Sequence, residues 1–283
     1  DGCLRRWTER DFVSVGDLML HCEELSHGIA DTVSGGGEPA LIFLHGFLGD
    51  GQTWKQIADG CGRSAWAIDL PGHGRSNVVP STSQDPFSDV ATAFWQLVEE
   101  RGVELVDLVG YSMGGRLAMH IALERPDKVR RLVLESAHPG LEAEVERHQR
   151  VQADAEWAKR IRNDWPQVVQ AWHEQSVFTS LKGSHLQSEL MAEKQTGDPF
   201  SLSVALELFS TGRQNPLADR LSTLPMPVLF VSGEMDTRYC EIGERLVSRP
   251  GPIHHYIQKD AGHVVHREQP EAYLHVLKQF IQG

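Results

Sequence analysis

GYSMGGR, residues 110–116, sets one serine among three glycines, directly after an apolar run and directly before a helical pattern. Its first five residues match G-x-S-x-G, the sharp strand-to-helix turn that presents a reactive serine. Glycines on both sides of such a turn avoid the clashes that a Cβ atom would cause. The N-terminus of the following helix offers oriented N–H groups to a developing negative charge. The stretch therefore predicts that Ser112 takes part in catalysis.

Short apolar runs with the length and composition of buried strands recur along the chain. They lie at residues 40–44, 64–70, 104–109, 129–134 and 227–231. Because helical or loop segments separate them, they predict an α/β fold with a mostly parallel sheet flanked by helices. Functional residues of such sheets collect in the loops at the carboxyl ends of the strands. Five polar residues fall at these ends: His45, Asp69, Ser112, Glu135 and Asp236.

The pattern of strands stops between Gly140 and about Asn215, where the sequence becomes polar, helical and rich in tryptophan. We interpret residues 140–215 as a helical cap inserted into the sheet domain, which would consist of residues 19–139 and 216–283. Met19 precedes the first strand-like segment, so residues 1–18 are expected to form an N-terminal extension outside the fold.

The chain of 283 residues has a net charge of -12, with 39 acidic and 27 basic residues. This balance argues against a nucleic-acid-binding surface or a polybasic membrane patch. The apolar runs are shorter than the roughly 18 residues that span a bilayer, and no secretory signal is recognisable. The scattered cysteines are interpreted as reduced thiols of a cytoplasmic protein. These are Cys3, Cys22, Cys61 and Cys240.

A serine hydroxyl needs a base, and the base needs an orienting carboxylate. Asp236 follows the strand-like run at 227–231, and His263 lies between a further strand-like segment and the last helix. Each has a competitor, since Glu135 also ends a strand and His266 lies three residues after His263. We favour Asp236 and His263 because each follows a turn of small residues that delivers a side chain to the strand ends.

The stretch His45-Gly46-Phe47 lets the backbone approach a ligand closely at its glycine. The N–H groups of Phe47 and Met113 are therefore predicted to form an oxyanion hole, with a plain glycine turn as the alternative. His45 is interpreted as a support of this loop. The DLPGHG turn at residues 69–74 is interpreted as architectural.

Two levels of family resemblance follow from these motifs. HGF, DLPGHG, GYSMGG, GEMD and AGH, in this order, resemble the α/β-hydrolase superfamily from about Met19 onward. The stretches LVGYSMGGRLAM, HPGL, WAKR, SVFTSL and AGHVVHREQP resemble the MenH family of 2-succinyl-6-hydroxy-2,4-cyclohexadiene-1-carboxylate synthases. That resemblance implies a lyase of menaquinone biosynthesis. It would eliminate pyruvate from 2-succinyl-5-enolpyruvyl-6-hydroxy-3-cyclohexene-1-carboxylate, with Ser112 removing a ring proton. No metal or organic cofactor is implied.

The family pattern also implies residues that bind the substrate, which carries three carboxylates. It assigns carboxylate binding to Arg116 and Arg150, an aromatic contact to Trp172 and a hydroxyl to Tyr111. Arginine suits this role because its planar fork pairs with a carboxylate through two hydrogen bonds. A third arginine of the family aligns with Lys194, which keeps the charge but lacks the fork.

Other interpretations stay open at the level of sequence. A serine esterase or a carbon-carbon bond hydrolase would use the same triad, and a ligand-binding protein of this fold would need none of it. Arg150 follows Glu146 by four residues, an ordinary spacing for a surface ion pair on a helix. Trp172 would by default pack inside the cap.

Overall fold

The computed structural model describes residues 11–15, 18–26, 39–78 and 83–283. Cys3 lies outside these residues, as do positions 1–10 of the predicted extension. Eight strands in the described residues form one sheet, in the spatial order β1-β2-β4-β3-β5-β6-β7-β8. The strands are β1 (Phe12–Val15), β2 (Leu18–Ser26), β3 (Ala40–Leu44), β4 (Ala65–Asp69), β5 (Val106–Tyr111), β6 (Val129–Glu135), β7 (Val228–Gly233) and β8 (Ile253–Gln258).

The sheet is parallel from β4 to β8, and only β1 and β2 run antiparallel to their neighbours. All residues of β5 and β7 are buried, because helices cover both faces of the sheet. The predicted α/β architecture is therefore confirmed. The strand predicted at residues 104–109 lies two positions later, so that β5 runs directly into Ser112.

The N-terminal extension was predicted to lie outside the fold, and this prediction is wrong for residues 12–15. Strand β1 pairs with β2 along its whole length, from Phe12 opposite His21 to Val15 opposite Leu18. Val13 is buried, and the Phe12 ring lies 5.0 Å from the ring of His21. A four-residue edge strand carries too little periodicity to stand out from the polar residues before it.

Helices cover the sheet in two layers. On one side α2 packs against α3, and on the other α1 packs against α11. The helices are α1 (Lys55–Cys61), α2 (Pro86–Glu100), α3 (Met113–Glu124), α4 (Glu144–Asn163), α5 (Val168–His173), α6 (His185–Lys194), α7 (Pro199–Leu208), α8 (Ala218–Leu221), α9 (Thr237–Val247), α10 (Val265–Glu268) and α11 (Pro270–Gln282). No helix of the described residues is long and apolar enough to cross a membrane.

The segment between β6 and β7 is helical, and its longest helix, α4, packs against α7. Two contacts connect this segment to the carboxyl ends of the strands. The Trp172 ring lies 4.8 Å from the ring of Phe47, and Glu193 forms two hydrogen bonds of 2.9 Å with Arg267. The division into a core and a cap at residues 140 and 215 stays a prediction.

Candidate active site

Ser112 occupies the sharp turn between β5 and α3. Its backbone has φ 49° and ψ −108°, a combination that non-glycine residues rarely adopt. Its N–H donates to the backbone carbonyl of Glu135 at 2.9 Å, which ties the turn to the end of β6. Strain of this kind persists only where the surroundings enforce it, and it concentrates at functional sites.

Two glycines let the turn pack closely against the loop after β3. A methyl group on Gly114 would collide with the backbone carbonyl oxygens of Leu44 and His45. A methyl group on Gly46 would lie 2.5 Å from the Tyr111 ring and 3.5 Å from Cβ of Ser112. The loop that contains Phe47 therefore lies directly beside the serine.

His263 and Asp236 form a buried pair at the same edge of the sheet. Nδ1–H of His263 donates to Oδ2 of Asp236 at 2.7 Å, which leaves Nε2 as the nitrogen that can accept a proton. The His263 ring is enclosed by aromatic rings, with centroid distances of 4.8 Å to Tyr239, 5.6 Å to Tyr111 and 5.8 Å to Phe178. This enclosure fixes the orientation of the imidazole.

The two competitors that the sequence offered form a pair with each other. Nδ1–H of His266 donates to both carboxylate oxygens of Glu135 at 2.9 Å. Both side chains are fully buried. Glu135 is therefore occupied by His266 and does not orient His263.

Ser112 and His263 belong to the same edge of the sheet but are not directly joined. Within the described residues, no hydrogen bond connects Oγ of Ser112 with the imidazole of His263. Catalytic hydrogen bonds often tighten only when substrate binds, so this geometry is compatible with a triad.

The predicted oxyanion-hole residues flank the serine. Met113 is the first residue of α3, so its N–H belongs to the helix N-terminus, and Phe47 follows Gly46 in the adjacent loop. His45 supports this loop, because its Nδ1–H donates to the Gly46 carbonyl at 2.8 Å and its Nε2 accepts from Leu70 N–H at 2.9 Å. Burial lowers the pKa of His45, which favours the neutral form that these two bonds require.

Arg116 lies one helical turn after Ser112 and is buried. Its guanidinium donates to Oε1 of Gln214 at 3.4 Å and lies 5.8 Å from the centroid of the Phe87 ring. Burial, followed by repulsion from Arg150, lowers the pKa of Arg116 to about 10. The side chain therefore remains a buried cation at neutral pH. Its hydrogen-bond acceptor is the uncharged side chain of Gln214, at a long distance.

Arg150 is held by Asp154, one turn further along α4. Its Nε donates to both carboxylate oxygens of Asp154 at 2.9 Å, and Ser210 donates to the same carboxylate at 2.7 Å. The ion pair is thus with the residue four positions later, and not with Glu146. Because Nε makes these bonds, the outer nitrogens of the guanidinium stay available to a ligand.

Lys194 is a buried cation at the end of α6. Burial lowers its pKa to about 8, and its Nζ lies 5.8 Å from the centroid of the Phe178 ring. It lines a cavity of about 640 Å³ whose walls also include Phe47, Tyr111 and Leu202. No ion pair or hydrogen bond of Lys194 is found among the described residues.

Trp172 and Tyr111 contribute the aromatic surfaces of the site. The Trp172 ring lies 5.2 Å from that of Trp157 on α4 and 4.8 Å from that of Phe47, so it packs against a helix and also reaches the loop beside Ser112. Tyr111 is buried between His263 and His266, and burial together with Glu135 holds the pKa of its hydroxyl well above the usual value.

Several polar residues that shape the site escaped the sequence analysis. Asp154 and Gln214 hold the two arginines, and Glu268 accepts from the N–H groups of Gly262 and Val264 at 2.9 and 3.0 Å. Only Asp154 had a signal in the sequence, its spacing of four residues from Arg150 on a helix. No group of three or more His, Cys, Asp or Glu side chains in the described ranges is arranged to hold a metal ion.

Comparison with known proteins shows the family of this chain. The family model of the alpha/beta hydrolase fold matches residues 39–239. The 2-succinyl-6-hydroxy-2,4-cyclohexadiene-1-carboxylate synthase of Salmonella typhimurium (strain LT2) is 34% identical over 269 residues, which cover 94% of this chain and 100% of that protein. The synthase of Salmonella agona (strain SL483) is 33% identical over the same coverage.

Two solved structures share the fold at lower identity. MenH from S. aureus superposes with a TM-score of 0.84 at 24% identity, covering 93% of this chain and 98% of that one. A thermophilic esterase from Thermogutta terrifontis superposes with a TM-score of 0.80 at 20% identity, covering 95% and 96%. Proteins with different chemistry thus share this fold, which makes the residues of the site the discriminating feature.

Proposed function

The chain belongs to the 2-succinyl-6-hydroxy-2,4-cyclohexadiene-1-carboxylate synthases of the α/β-hydrolase superfamily, and we propose that Ser112, His263 and Asp236 carry out its reaction. The enzyme is a lyase of menaquinone biosynthesis that eliminates pyruvate from 2-succinyl-5-enolpyruvyl-6-hydroxy-3-cyclohexene-1-carboxylate. The relation to the Salmonella synthases over 94% of the chain, with the helical segment included, carries this conclusion.

In the proposed mechanism Ser112 is the base. The substrate holds a ring C–H bond next to the succinyl carbonyl, and Ser112 removes this proton while Nε2 of His263 accepts the proton of the serine hydroxyl. The electron pair of the C–H bond forms a double bond to the adjacent ring carbon, the existing ring double bond shifts by one position, and the C–O bond breaks. The leaving group departs as enolpyruvate, which takes up a proton and becomes pyruvate. Asp236 keeps Nδ1 of His263 protonated and stabilises the imidazolium that forms.

Negative charge develops on the substrate carbonyl oxygen during this step. We propose that the N–H groups of Phe47 and Met113 receive it. The close approach of the Gly46 loop to Cβ of Ser112 supports this assignment, as does the position of Met113 at the start of α3. Preorganised N–H donors of this kind stabilise the transition state more than the substrate.

The substrate carboxylates require cations, and we propose Arg116, Arg150 and Lys194 for this role. Arg150 lies close enough to Arg116 to contribute to the lowering of its pKa, so together they suit one end of the substrate. Lys194 lines the cavity beside Phe47 and suits a carboxylate on the other side of the loop. Trp172 and Tyr111 would provide the apolar surface between them.

Release of pyruvate tests the proposal directly. The purified protein is mixed with the enolpyruvyl substrate, and pyruvate is measured through NADH oxidation by lactate dehydrogenase. We expect turnover by the wild type and its loss in Ser112→Ala, with His21→Asn as a control at a buried position on β2. Hydrolysis of simple esters without pyruvate release would favour an esterase, and ligand binding without either activity would favour a binding protein.

We also propose that the enzyme works in the cytoplasm, with residues 140–215 as its cap and no nucleic acid or membrane as a partner. The described cysteines Cys22, Cys61 and Cys240 are free thiols, which is usual in a reducing compartment. The net charge of -12 disfavours binding to nucleic acid. Fractionation of cells that produce the native protein, followed by immunoblotting of each fraction, tests this location.

A further inference from the structure

The buried pair of Glu135 and His266 lies outside the proposed triad and is unusually well connected. The Glu135 carboxylate accepts Nδ1–H of His266 through both oxygens at 2.9 Å and the backbone N–H of His266 through Oε1 at 3.2 Å. Three hydrogen bonds thus join the end of β6 to the start of α10, out of contact with solvent.

Glu135 holds the two halves of the site together. Its backbone carbonyl accepts the Ser112 N–H at 2.9 Å, and its side chain holds His266, three residues after His263. Glu135 therefore fixes Ser112 through its main chain. Through its side chain it fixes the segment from His263 to His266, which we call the histidine loop. The register of the sheet sets this position, since Tyr111 lies opposite Glu135 in the pairing of β5 with β6.

Aromatic rings fix the plane of the His266 imidazole. Trp54 stacks on it at a centroid distance of 4.2 Å and an angle of 25°. The Tyr111 ring lies between the two histidines, 5.0 Å from His266 and 5.6 Å from His263. A displacement of His266 would therefore be passed on through Tyr111 to His263 and to the serine that follows Tyr111.

A contribution to stability does not by itself explain this buried pair. Among the described residues, Nε2 of His266 has no hydrogen-bond partner, and neither has Nε1 of Trp54. A buried unpaired nitrogen costs free energy, and apolar residues often replace a buried ionic pair without loss of stability. The loop is also shaped separately, because Glu268 accepts the N–H groups of Gly262 and Val264.

We propose that Glu135 and His266 are positioning residues, which set the distance between Ser112 and His263 by docking the histidine loop onto the end of β6. They act through Tyr111 and the backbone of Ser112 and do not touch the substrate. The kinetic part of this inference rests on the proposed lyase reaction.

The kinetic test separates positioning from stability. We expect His266→Asn and Glu135→Ala to lower kcat by at least about tenfold with KM within about threefold, because the carboxylate-binding cations are untouched. Glu135→Gln keeps an oxygen at the position of Oε1, which accepts from the backbone N–H and from Nδ1–H of His266. This variant should recover most of the kcat that Glu135→Ala loses.

His21→Asn is the matched control. His21 and Asp69 form a buried pair with the same Nδ1 to oxygen distance of 2.9 Å, on strands away from His263. We expect this variant to lower the melting temperature but to leave kcat, per folded protein, within about twofold of wild type. Equal kinetic losses in His21→Asn and His266→Asn would overturn the proposal, as would an unchanged kcat in His266→Asn.

A spectroscopic test does not depend on the reaction. The Nδ1 proton that His263 donates to Asp236 should resonate far downfield of the amide protons in the NMR spectrum. We expect His266→Asn and Glu135→Ala to shift or broaden this resonance and His21→Asn to leave it in place. An unmoved resonance in all three variants would overturn the positioning role, even if the protein released no pyruvate.

Discussion

Replacing Lys194 by methionine should make the protein more stable and less active. Lys194 is a buried cation without an ion pair among the described residues, and the carboxylate of the neighbouring Glu193 is bonded to Arg267 instead. Methionine has a similar length and flexibility but no charge, so it fills the same space without the cost of burying an ammonium group.

The pKa of Lys194 gives the size of the effect. Burial lowers this pKa from 10.5 to about 8, which corresponds to about 3 kcal/mol. Below pH 8 the lysine is charged in the folded and the unfolded protein, so the whole cost is present. Between pH 8 and 10.5 only the unfolded protein keeps the proton, and the cost shrinks to nothing. Lys194→Met should therefore raise the free energy of unfolding by about 3 kcal/mol at pH 7 and by much less near pH 10.

The kinetic effect has the opposite sign. A hydrogen bond to a charged group contributes about 1.5–3 kcal/mol, so Lys194→Met should lower kcat/KM by about 10- to 150-fold. In the wild type kcat/KM should fall as the pH rises through about 8, where the free enzyme loses this charge. Lys194→Arg keeps the charge and should remove that alkaline fall.

Urea denaturation at pH 7 and 10 and the pyruvate assay from pH 6 to 9.5 measure both effects. Lys182→Met is the control, because it replaces an exposed lysine in the turn before α6. It should change the free energy of unfolding by no more than about 0.5 kcal/mol. A Lys194→Met protein that is less stable than wild type would refute the burial cost. A kcat/KM within twofold of wild type would refute the carboxylate contact.

Four further substitutions test the remaining parts of the site. Arg116→Ala and Arg150→Ala should each lower kcat/KM in the pyruvate assay by a factor that corresponds to about 2–4 kcal/mol of transition-state stabilisation. Normal kinetics in both variants would eliminate the proposed carboxylate contacts. Asp154→Asn keeps the shape but loosens Arg150, so it should raise KM by less than Arg150→Ala does; an equal or larger rise would show that Asp154 has another role. Gly46→Ala places a methyl group 2.5 Å from the Tyr111 ring and should lower kcat by at least about tenfold, with a displaced ring in its crystal structure; an unmoved ring would contradict this packing.

The core of the fold was predictable because its signals are local. Central strands of a parallel sheet are continuous apolar runs, and the G-x-S-x-G turn needs glycines at fixed positions. The edge strand at Phe12–Val15 has neither property, since it is short and its stability depends on pairing with β2. The hydrogen bond from Arg116 to Gln214 joins residues 98 positions apart and has no trace in the spacing of the sequence.

The pairing of acids with histidines shows where sequence reasoning ends. Two carboxylates and two histidines come to one edge of the sheet, and each carboxylate is chemically able to serve either histidine. The order of strands decides which carboxylate meets which histidine, because β6 lies between β5 and β7 and brings Glu135 beside Tyr111. Asp236 lies between β7 and α9, and its carboxylate accepts the hydrogen bond from His263. Local sequence contains no information on these lateral positions.

A triad alone does not separate a lyase from an esterase, since the esterase from Thermogutta terrifontis shares this fold over 95% of the chain. The cations are the more specific feature. Arg116 and Lys194 are buried in a chain of net charge -12, and the lowered pKa of each records what their burial costs. An esterase acting on neutral substrates would gain stability by replacing them with apolar residues. A substrate with three carboxylates gives a reason to keep them, because its binding places carboxylates in direct contact with two cations that form no ion pair among the described residues. It follows that the melting temperature of this enzyme should rise with substrate or product concentration more steeply than that of its Lys194→Met variant.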